Sequence, residues 1–271
     1  MKISVVIPTF NRAHTITNSL QSVAYQTAPP DEIILVDDGS TDNTSDMVRN
    51  LGLPNLKYIY QKNSGANAAR NNGIKIAKNP WVAFHDSDDC WLPNKLAAFQ
   101  EEFNSRPVDD QDEIQVIFSA FNLFDPEKRR VRLMPSHLSS VTEKSVVYKN
   151  PLVEMHTLLA NPISTQTLIV RKELLVEVGN FDVRLRRFQD WDLAIRLAAV
   201  SRILYISEPL CYVTLSSDSL TRNYSAGLDA RRVLLKKHSK LYKRFPKFLA
   251  KAELDLLARQ LLGVCLGRSM N

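Results

Sequence analysis

Asp86 and Asp88 stand two residues apart, directly after the apolar run Val82-Ala83-Phe84 and His85. In an extended segment they point to the same side. Two same-side carboxylates repel unless something positive lies between them. A hard divalent cation that also holds phosphate oxygens meets that need, because Mg²⁺ takes one or two carboxylates plus substrate phosphates. A solvated acidic turn after an edge strand gives the same residues, and the Asp-x-Asp spacing alone does not separate the two. A second acidic pair, Asp190 and Asp192, opens a helical pattern formed by Leu193, Ile195, Leu197 and Ala198. A carboxylate there can simply cap the helix, favoured by the dipole and the free N–H groups. Asp190 lies between Gln189 and Trp191, and a carboxylate partly desolvated by an aromatic also suits a general base. Asp182, after Phe181, reads as a turn-forming residue.

The elements that position these acids follow from the hydrophobic pattern. Ile3 to Ile7, Ile33 to Val36, Leu56 to Tyr60 and Trp81 to Phe84 read as strands. Helical periods fall between them, at Arg12–Gln26, from Thr41 or Asp42 to Asn50, and at Gly65–Lys78. Pro93 to Asn104 reads as a helix with Pro in its first turn. The order βαβαβαβ with short, continuously apolar strands implies a mostly parallel, Rossmann-like sheet covered by helices on both faces. In such sheets ligands bind beyond the carboxyl ends of the strands. Those ends are Pro8-Thr9-Phe10-Asn11, Asp37-Asp38-Gly39 and Asp86-Ser87-Asp88-Asp89, so three strands present polar groups to one rim. No G-x-G-x-x-G follows the first strand and no G-K-[ST] occurs, so phosphate here needs another source of positive charge. A metal on the carboxylates would supply it, assisted by Arg70.

The second half is less regular. Asp109 to Glu113 reads as a solvated acidic loop, Ile114 to Ser119 as a strand and Asp125 to Arg132 as a charged turn. Ser136 to Asn161 is poorly periodic and is expected to hold a loop and a short helix. Thr165 to Val170 and Arg202 to Ile206 read as strands, and Arg171 to Val178 as a helix stopped by Gly179. Between Arg231 and Lys251 stand nine Lys or Arg and no acid, with Leu234, Leu235, Leu241, Tyr242 and Phe245 at helical spacing. Such a segment can lie on an anionic membrane as a basic amphipathic helix, or pack its apolar stripe on the core.

The composition bounds the class. The 271 residues, 44% of them apolar, suffice for one large core with an elaborated second half. No apolar run approaches the ~18 residues of a membrane span. Three scattered cysteines exclude a disulfide framework and fit a reducing compartment. The net charge of +6 is concentrated in the C-terminal helices and does not by itself mark a nucleic-acid binder.

Taken together, Ser4 to Arg12, Val36 to Asp42, Gly65 to Gly73 with Ala69-Arg70-Asn71, Asp86 to Asp89, Gly179 to Asp182 and Gln189 to Asp192 resemble, in order and spacing, a family 2 glycosyltransferase of the GT-A fold. The resemblance covers residues 3 to about 206. It implies transfer of a sugar from a nucleotide-sugar with inversion. It implies nucleoside contacts at Thr9 and Phe10, a base-binding carboxylate at Asp38 and an arginine near the nucleotide at Arg70. It places Asp86 near the ribose or metal waters, Asp88 on a divalent Mn or Mg, and the catalytic base at Asp190. Gln189 departs from the family pattern, which has Glu there, and His85 stands where Leu is frequent. The Q-x-x-R-W motif and membrane helices of processive synthases are absent, which implies addition of single sugars.

The expected organisation is a GT-A domain at 1–206, with a nucleotide-binding half (1–105) and an acceptor half (106–206), then a C-terminal, mainly helical extension at 207–271. The expected function is transfer of one sugar, from a UDP-sugar, to an acceptor hydroxyl in cell-envelope polysaccharide or lipid-linked glycan synthesis. The expected partners are the donor, a glycan or lipid-linked acceptor, and a membrane surface touched through 231–251, with no nucleic acid. The expected location is cytoplasmic, or peripheral at the inner face of the cytoplasmic membrane. The alternative is a nucleotide-sugar-binding GT-A protein without turnover, for which Gln189 is the support. A nucleotidyltransferase would need a glycine- and base-rich loop where Pro8-Thr9-Phe10-Asn11 stands.

Overall fold

The computed structural model describes residues 1–215 and 224–265. The first half alternates β1 (Ile3–Thr9), α1 (Ile16–Ala24), β2 (Glu32–Asp37), α2 (Thr44–Asn50), β3 (Leu56–Tyr60), α3 (Ala66–Ile76) and β4 (Trp81–Phe84). The strands β3-β2-β1-β4 are parallel and adjacent in that order. Successive residues of each strand enter opposite cores. Ile3, Val5, Ile7, Ile33 and Leu35 pack on one side with α1 and the helix that follows β4. Val6, Ile34, Val36, Val82 and Phe84 pack on the other with α3. Burial on both faces is why these strands are continuously apolar. Helix α3 lies very close to β1, because a Cβ on Gly73 would meet Val6 Cγ1 at 2.3 Å.

After the acidic stretch come β5 (Cys90–Trp91), α4 (Lys95–Asn104), α5 (Val108–Glu113) and β6 (Ile114–Asp125). Residues 109–113 are thus a short helix with no buried residue, started by Pro107, and not a loop. The charged segment 125–132 is not a plain turn either. It closes a hairpin between β6 and β7 (Arg130–Met134). The segment 136–161 adds a strand that the pattern does not announce, β8 (Ser145–Tyr148), and the single turn α6 (Pro151–Glu154). Thr165–Thr167 forms a 3₁₀ turn, and the strand is β9 (Leu168–Arg171). Helix α7 (Lys172–Val178) ends at Gly179, whose φ of +89° suits glycine. Then follow α8 (Gln189–Ala198) and β10 (Arg202–Thr214).

Among the described residues the sheet has ten strands in the order β3-β2-β1-β4-β9-β6-β10-β5, with β7 beside β6 and β8 beside β10. Strands β6 and β10 are parallel, and β9 runs antiparallel between β4 and β6. Strand β10 runs straight through residue 206, so the helical extension begins later than expected, at α9 (Tyr224–Lys237) among the described residues. Helices α10 (Ser239–Lys243) and α11 (Pro246–Cys265) follow. The basic segment 231–251 is therefore three helices rather than one. Its apolar residues Leu234 and Tyr242 are buried in the core, and Leu235, Leu241 and Phe245 pack against it. Among the described residues no helix is long and apolar enough to cross a membrane.

Candidate active site

A cavity of about 450 Å³ opens at the carboxyl ends of β1, β2 and β4. Thr9, Phe10, Asp38, Arg70, Asp86, Asp88 and Asp190 all line it. The seven residues singled out from the sequence, spread over 182 positions, are thus gathered on one wall system.

The β1 end brings Thr9 and Phe10. Phe10 is 44% exposed at the mouth, while Thr9 is buried and its Oγ1 has no hydrogen-bond partner. A buried hydroxyl left without a partner costs free energy unless a ligand completes it. The β2 end brings two acids with different tasks. Asp37 is structural, accepting from Tyr58 Oη and from the Ser40 N–H. Asp38 faces the cavity and holds the start of α3. It accepts from Ser64 N–H at 2.9 Å, Gly65 N–H at 2.7 Å and Gln61 Nε2 at 2.7 Å. Two carboxylate oxygens offer about four acceptor positions, so one remains for a further donor.

Arg70 comes from α3 and is buried. Its Nη2 donates to Asp86 Oδ1 at 2.6 Å and its Nη1 to Asn67 Oδ1 at 3.3 Å, with the guanidinium 5.4 Å from the Phe181 ring centroid. Its Nε is without a partner. The same helix grips the loop before α8. Asn71 exchanges hydrogen bonds with both backbone groups of Phe181, and Asn67 Nδ2 donates to the carbonyls of Asp182 and Leu185. Asp182 is a turn residue, as its sequence suggests, accepting from the Arg184 N–H two residues on.

Asp88 is half-exposed and its nearest cation is Arg12, at 3.5 Å. Burial raises the Asp88 carboxyl, and the Asp86 charge raises it further, against the pull of Arg12. Asp89 is buried beside both acids, and burial with their charges holds its carboxyl well above the ordinary range. A cavity wall whose carboxylates are driven towards protonation by one another is short of positive charge. Among the described residues no three His, Cys, Asp or Glu are grouped to hold a metal by themselves. The donor set of Asp86 and Asp88 therefore suits a hard cation only when phosphate oxygens complete its shell, the mode Mg²⁺ favours.

Asp190 sits in the first turn of α8. Its Oδ1 accepts from the Trp191 N–H at 2.8 Å. Burial pushes its carboxyl above the ordinary range, opposed by the Trp191 N–H, by Arg70 and by the Asn161 side chain. That is the direction a general base needs. The residue before the helix, Phe188, has φ +56°, and its carbonyl accepts from the Asp192 N–H at 2.8 Å. A left-handed conformation at a bulky residue is strained, and it aims the first turn of α8 into the cavity.

Asp192 is not a second cavity acid. It is fully buried and bound by Arg196 Nη2 at 2.7 Å, Lys237 Nζ at 2.7 Å and His238 Nε2 at 2.9 Å. Burial would raise its carboxyl, but the hydrogen bond with His238 and the charges of Arg196 and Lys237 hold it down at about 2. Its neighbour Trp191 donates Nε1–H to the Thr157 carbonyl, and Arg231 of α9 lies 4.9 Å from that ring. The extension thus locks α8 from behind.

Besides Ala66 of α3, cavity residues not singled out from the sequence are Arg12, Ser164, Thr165, Gln166, Val213 and Thr214. Arg12 lies in the Asn-Arg pair after β1 and was readable there. The others come from a 3₁₀ turn and a strand end that carry no local signal.

Three comparisons bear on this arrangement. The Glycosyl transferase family 2 pattern matches residues 4–162. A glycosyltransferase of Rickettsia typhi is 28% identical over 255 residues, covering 94% of this chain and 74% of the relative. The glycosyltransferase YwdF of Bacillus subtilis is 29% identical, covering 86% and 80%. The structure of S. aureus TarS 1–349 in complex with UDP-GlcNAc superposes with TM-score 0.68 at 25% identity, over 86% of this chain and 65% of that one. This chain spans less than two thirds of that protein's length. The mannosyltransferase PcManGT of Pyrobaculum calidifontis, in complex with GDP-Man and Mn²⁺, shares the fold at TM-score 0.59 and 18% identity, over 99% and 81%. The sheet order, the cavity and the matched pattern agree that this is a GT-A fold and that the chain belongs to glycosyl transferase family 2.

Proposed function

We propose that the protein transfers a single sugar from a UDP-sugar to an acceptor hydroxyl, with inversion, in the synthesis of a cell-envelope or lipid-linked glycan on the cytoplasmic side of the membrane. The observation that carries the reading is the convergence of Asp190 with Thr9, Asp38, Arg70, Asp86 and Asp88 on one cavity. The UDP-GlcNAc bound by TarS supports a uridine donor. In this reading the base stacks near Phe10 and donates to the free acceptor position of Asp38, and Thr9 Oγ1 finds its partner on the nucleoside. Asp88, with Asp86 beside it, would hold a divalent Mn or Mg together with the diphosphate. When bound, that ion neutralises charge developing on the departing diphosphate, the kind of electrostatic contribution that dominates such reactions.

Asp190 takes the proton of the acceptor hydroxyl. The freed oxygen attacks the anomeric carbon from the face opposite the diphosphate. The new glycosidic bond forms as the bond to the diphosphate oxygen breaks, and UDP leaves with Arg70 and Arg12 near its charge. One attack from the far face inverts the anomeric carbon.

The test uses a panel of UDP-sugars, followed by thermal shift and by release of UDP, with and without Mn²⁺. Asp190→Asn should lower turnover by about 10²–10⁴, the worth of general-base catalysis, and leave the UDP-induced shift intact. Asp88→Ala should remove the Mn²⁺-dependent part of that shift. Full turnover in Asp190→Asn overturns its role, an unchanged Mn²⁺ effect in Asp88→Ala overturns the metal assignment, and no UDP-sugar turnover by the native chain favours a binding protein.

A further inference from the structure

The strand order sets the rim residues in a row. Across the sheet the neighbours run β2, β1, β4, β9. At the rim β2 presents Asp38, β1 presents Thr9 and Phe10, and β4 leads into Asp86 and Asp88. Strand β9 runs antiparallel to β4, with Ala83 against Ile169. The Thr165–Thr167 turn that leads into β9 therefore lies beyond the end of β4, on the side away from β1. Its Thr165 and Gln166, with Ser164 before them, line the cavity. On the reading proposed above, Asp38 takes the base, Thr9 the nucleoside, and Asp86 with Asp88 the diphosphate. The next group of the donor is the sugar, and the next strand along the rim is β9. Neighbouring strands lie about 4.8 Å apart, a step comparable to that from a phosphate to the sugar it carries.

The turn holds its polar side chains at fixed positions. Thr167 donates its N–H, at 2.9 Å, and its Oγ1, at 2.7 Å, to the Ser164 carbonyl. The Gln166 carbonyl accepts from Nε1 of the buried Trp91 at 3.0 Å. Thr165 and Gln166 are each 4% exposed. Ser164 Oγ donates to Gln166 Oε1 at 2.9 Å, which orients the amide and leaves Nε2 as a donor. Among the described residues no hydrogen bond uses Gln166 Nε2 or Thr165 Oγ1. Beside Asp190, Gln189 also lines the cavity, with its Oε1 buried and without a partner. One donor, one acceptor and one hydroxyl that can be either are thus left open. Buried polar groups are normally hydrogen-bonded, so three open ones on one cavity call for a ligand that completes them.

None of these groups carries a charge. Among the described residues the cavity cations are Arg12 and Arg70, and both face acids, Asp88 at 3.5 Å and Asp86 at 2.6 Å. Both therefore belong to the diphosphate end. A sugar carboxylate at the turn would find Asp190 for a neighbour and no cation. A charge taken out of water without a partner is costly. Sugar hydroxyls give and accept single hydrogen bonds, which is what an amide and a hydroxyl offer.

We propose that the Thr165–Thr167 turn and Gln189 form the subsite for the transferred sugar, and that this sugar is uncharged, a neutral hexose or N-acetylhexosamine and not a uronic acid. Gln166 Nε2 donates to one sugar hydroxyl, Gln189 Oε1 accepts from another, and Thr165 Oγ1 adds a third contact. The inference rests on the transferase reading and adds the class of sugar.

The experiment is calorimetric titration of the full chain, with Mn²⁺ present throughout, by UDP, UDP-glucose, UDP-N-acetylglucosamine and UDP-glucuronic acid. The tighter of the two neutral donors should bind about ten-fold more tightly than UDP-glucuronic acid, or better. Gln166→Leu should lower the affinity for that neutral donor about 2–10-fold, the worth of one hydrogen bond, and leave the affinity for UDP unchanged. Thr165→Val keeps the side-chain shape and should act the same way, which covers a failure of the first variant to fold. Gln166→Arg supplies the missing cation and should bring UDP-glucuronic acid level with the neutral donor. UDP-glucuronic acid bound by the native chain as tightly as the neutral donors overturns the uncharged class. Neutral-donor affinity unchanged in both Gln166→Leu and Thr165→Val overturns the subsite. In either case UDP itself still binds, whereas a native chain that binds no UDP overturns the donor reading underneath.

Discussion

At the scale of single residues, two unpartnered polar groups mark opposite kinds of tension. Thr9 Oγ1 is buried in the cavity wall with no hydrogen bond to lose. Thr9→Val keeps the shape and removes only the hydroxyl. The expected outcome is UDP affinity lowered about 2–10-fold by calorimetry, with the melting temperature of the free protein unchanged or raised. Lys95 Nζ is also unpartnered, but it does not line the cavity, and it lies 5.1 Å from the Trp91 and 4.6 Å from the Phe99 ring centroid. Burial pulls its ammonium down to about 8. The folded state thus carries the full burial penalty below pH 8, and the penalty fades as pH rises from about 8 towards 10.5. Lys95→Met should stabilise the protein by about 1–3 kcal/mol at pH 7 in urea unfolding, and should abolish the gain between pH 8 and 10. His85 is comparable, with neither ring nitrogen hydrogen-bonded and burial holding it down at about 3, so it stays neutral beneath the acidic loop.

At the scale of elements, the closest packing is between α3 and β1. Gly73→Ala forces its Cβ onto Val6, and overpacking of this kind costs about 1–3 kcal/mol even after the helix-propensity gain of alanine. Because α3 carries Arg70 and grips the loop before α8 through Asn67 and Asn71, the same change should lower both melting temperature and UDP affinity. A loss of stability with affinity untouched would show that α3 shifts as a rigid piece away from the site. This scale is also where the sequence is most and least informative. The parallel half is legible because β1, β2 and β4 are buried on both faces and run into polar residues. The β6–β7 hairpin is not, since Arg130-Val131-Arg132-Leu133 is exposed on both faces and its alternation spans four residues. Strand β8 is hidden for a similar reason, being short and held only by β10. The Thr165–Thr167 turn reads as strand because threonine favours strands.

At the scale of the molecule, the extension and the transferase core meet at Asp192. Its sequence position suggests a helix cap, and nothing local reveals that its partners Lys237 and His238 lie over forty residues on. Asp192→Asn leaves three cationic or polar partners without their anion and should cost about 3–5 kcal/mol. In the native chain the carboxyl is held near 2, below the ordinary 3.8, so its contribution of about 2 kcal/mol is present above pH 4 and lost as pH falls from about 4 to about 2. Melting temperature measured against pH should show that acid limb in the native protein and a flatter one in Asp192→Asn.

The Asp192 hub also sets an order of events during synthesis. Domains fold as units from the N-terminus while the chain is being made. Thr9, Asp38, Arg70, Asp86 and Asp88 have all been made by residue 88, when β4 can pair with β1. The helix bearing Asp190 is translated about a hundred residues later, and its buried anchor needs Lys237 and His238. On the reading proposed above, a nascent chain therefore presents its donor-side residues about a hundred residues before Asp190, whose helix is anchored only once Lys237 and His238 are made.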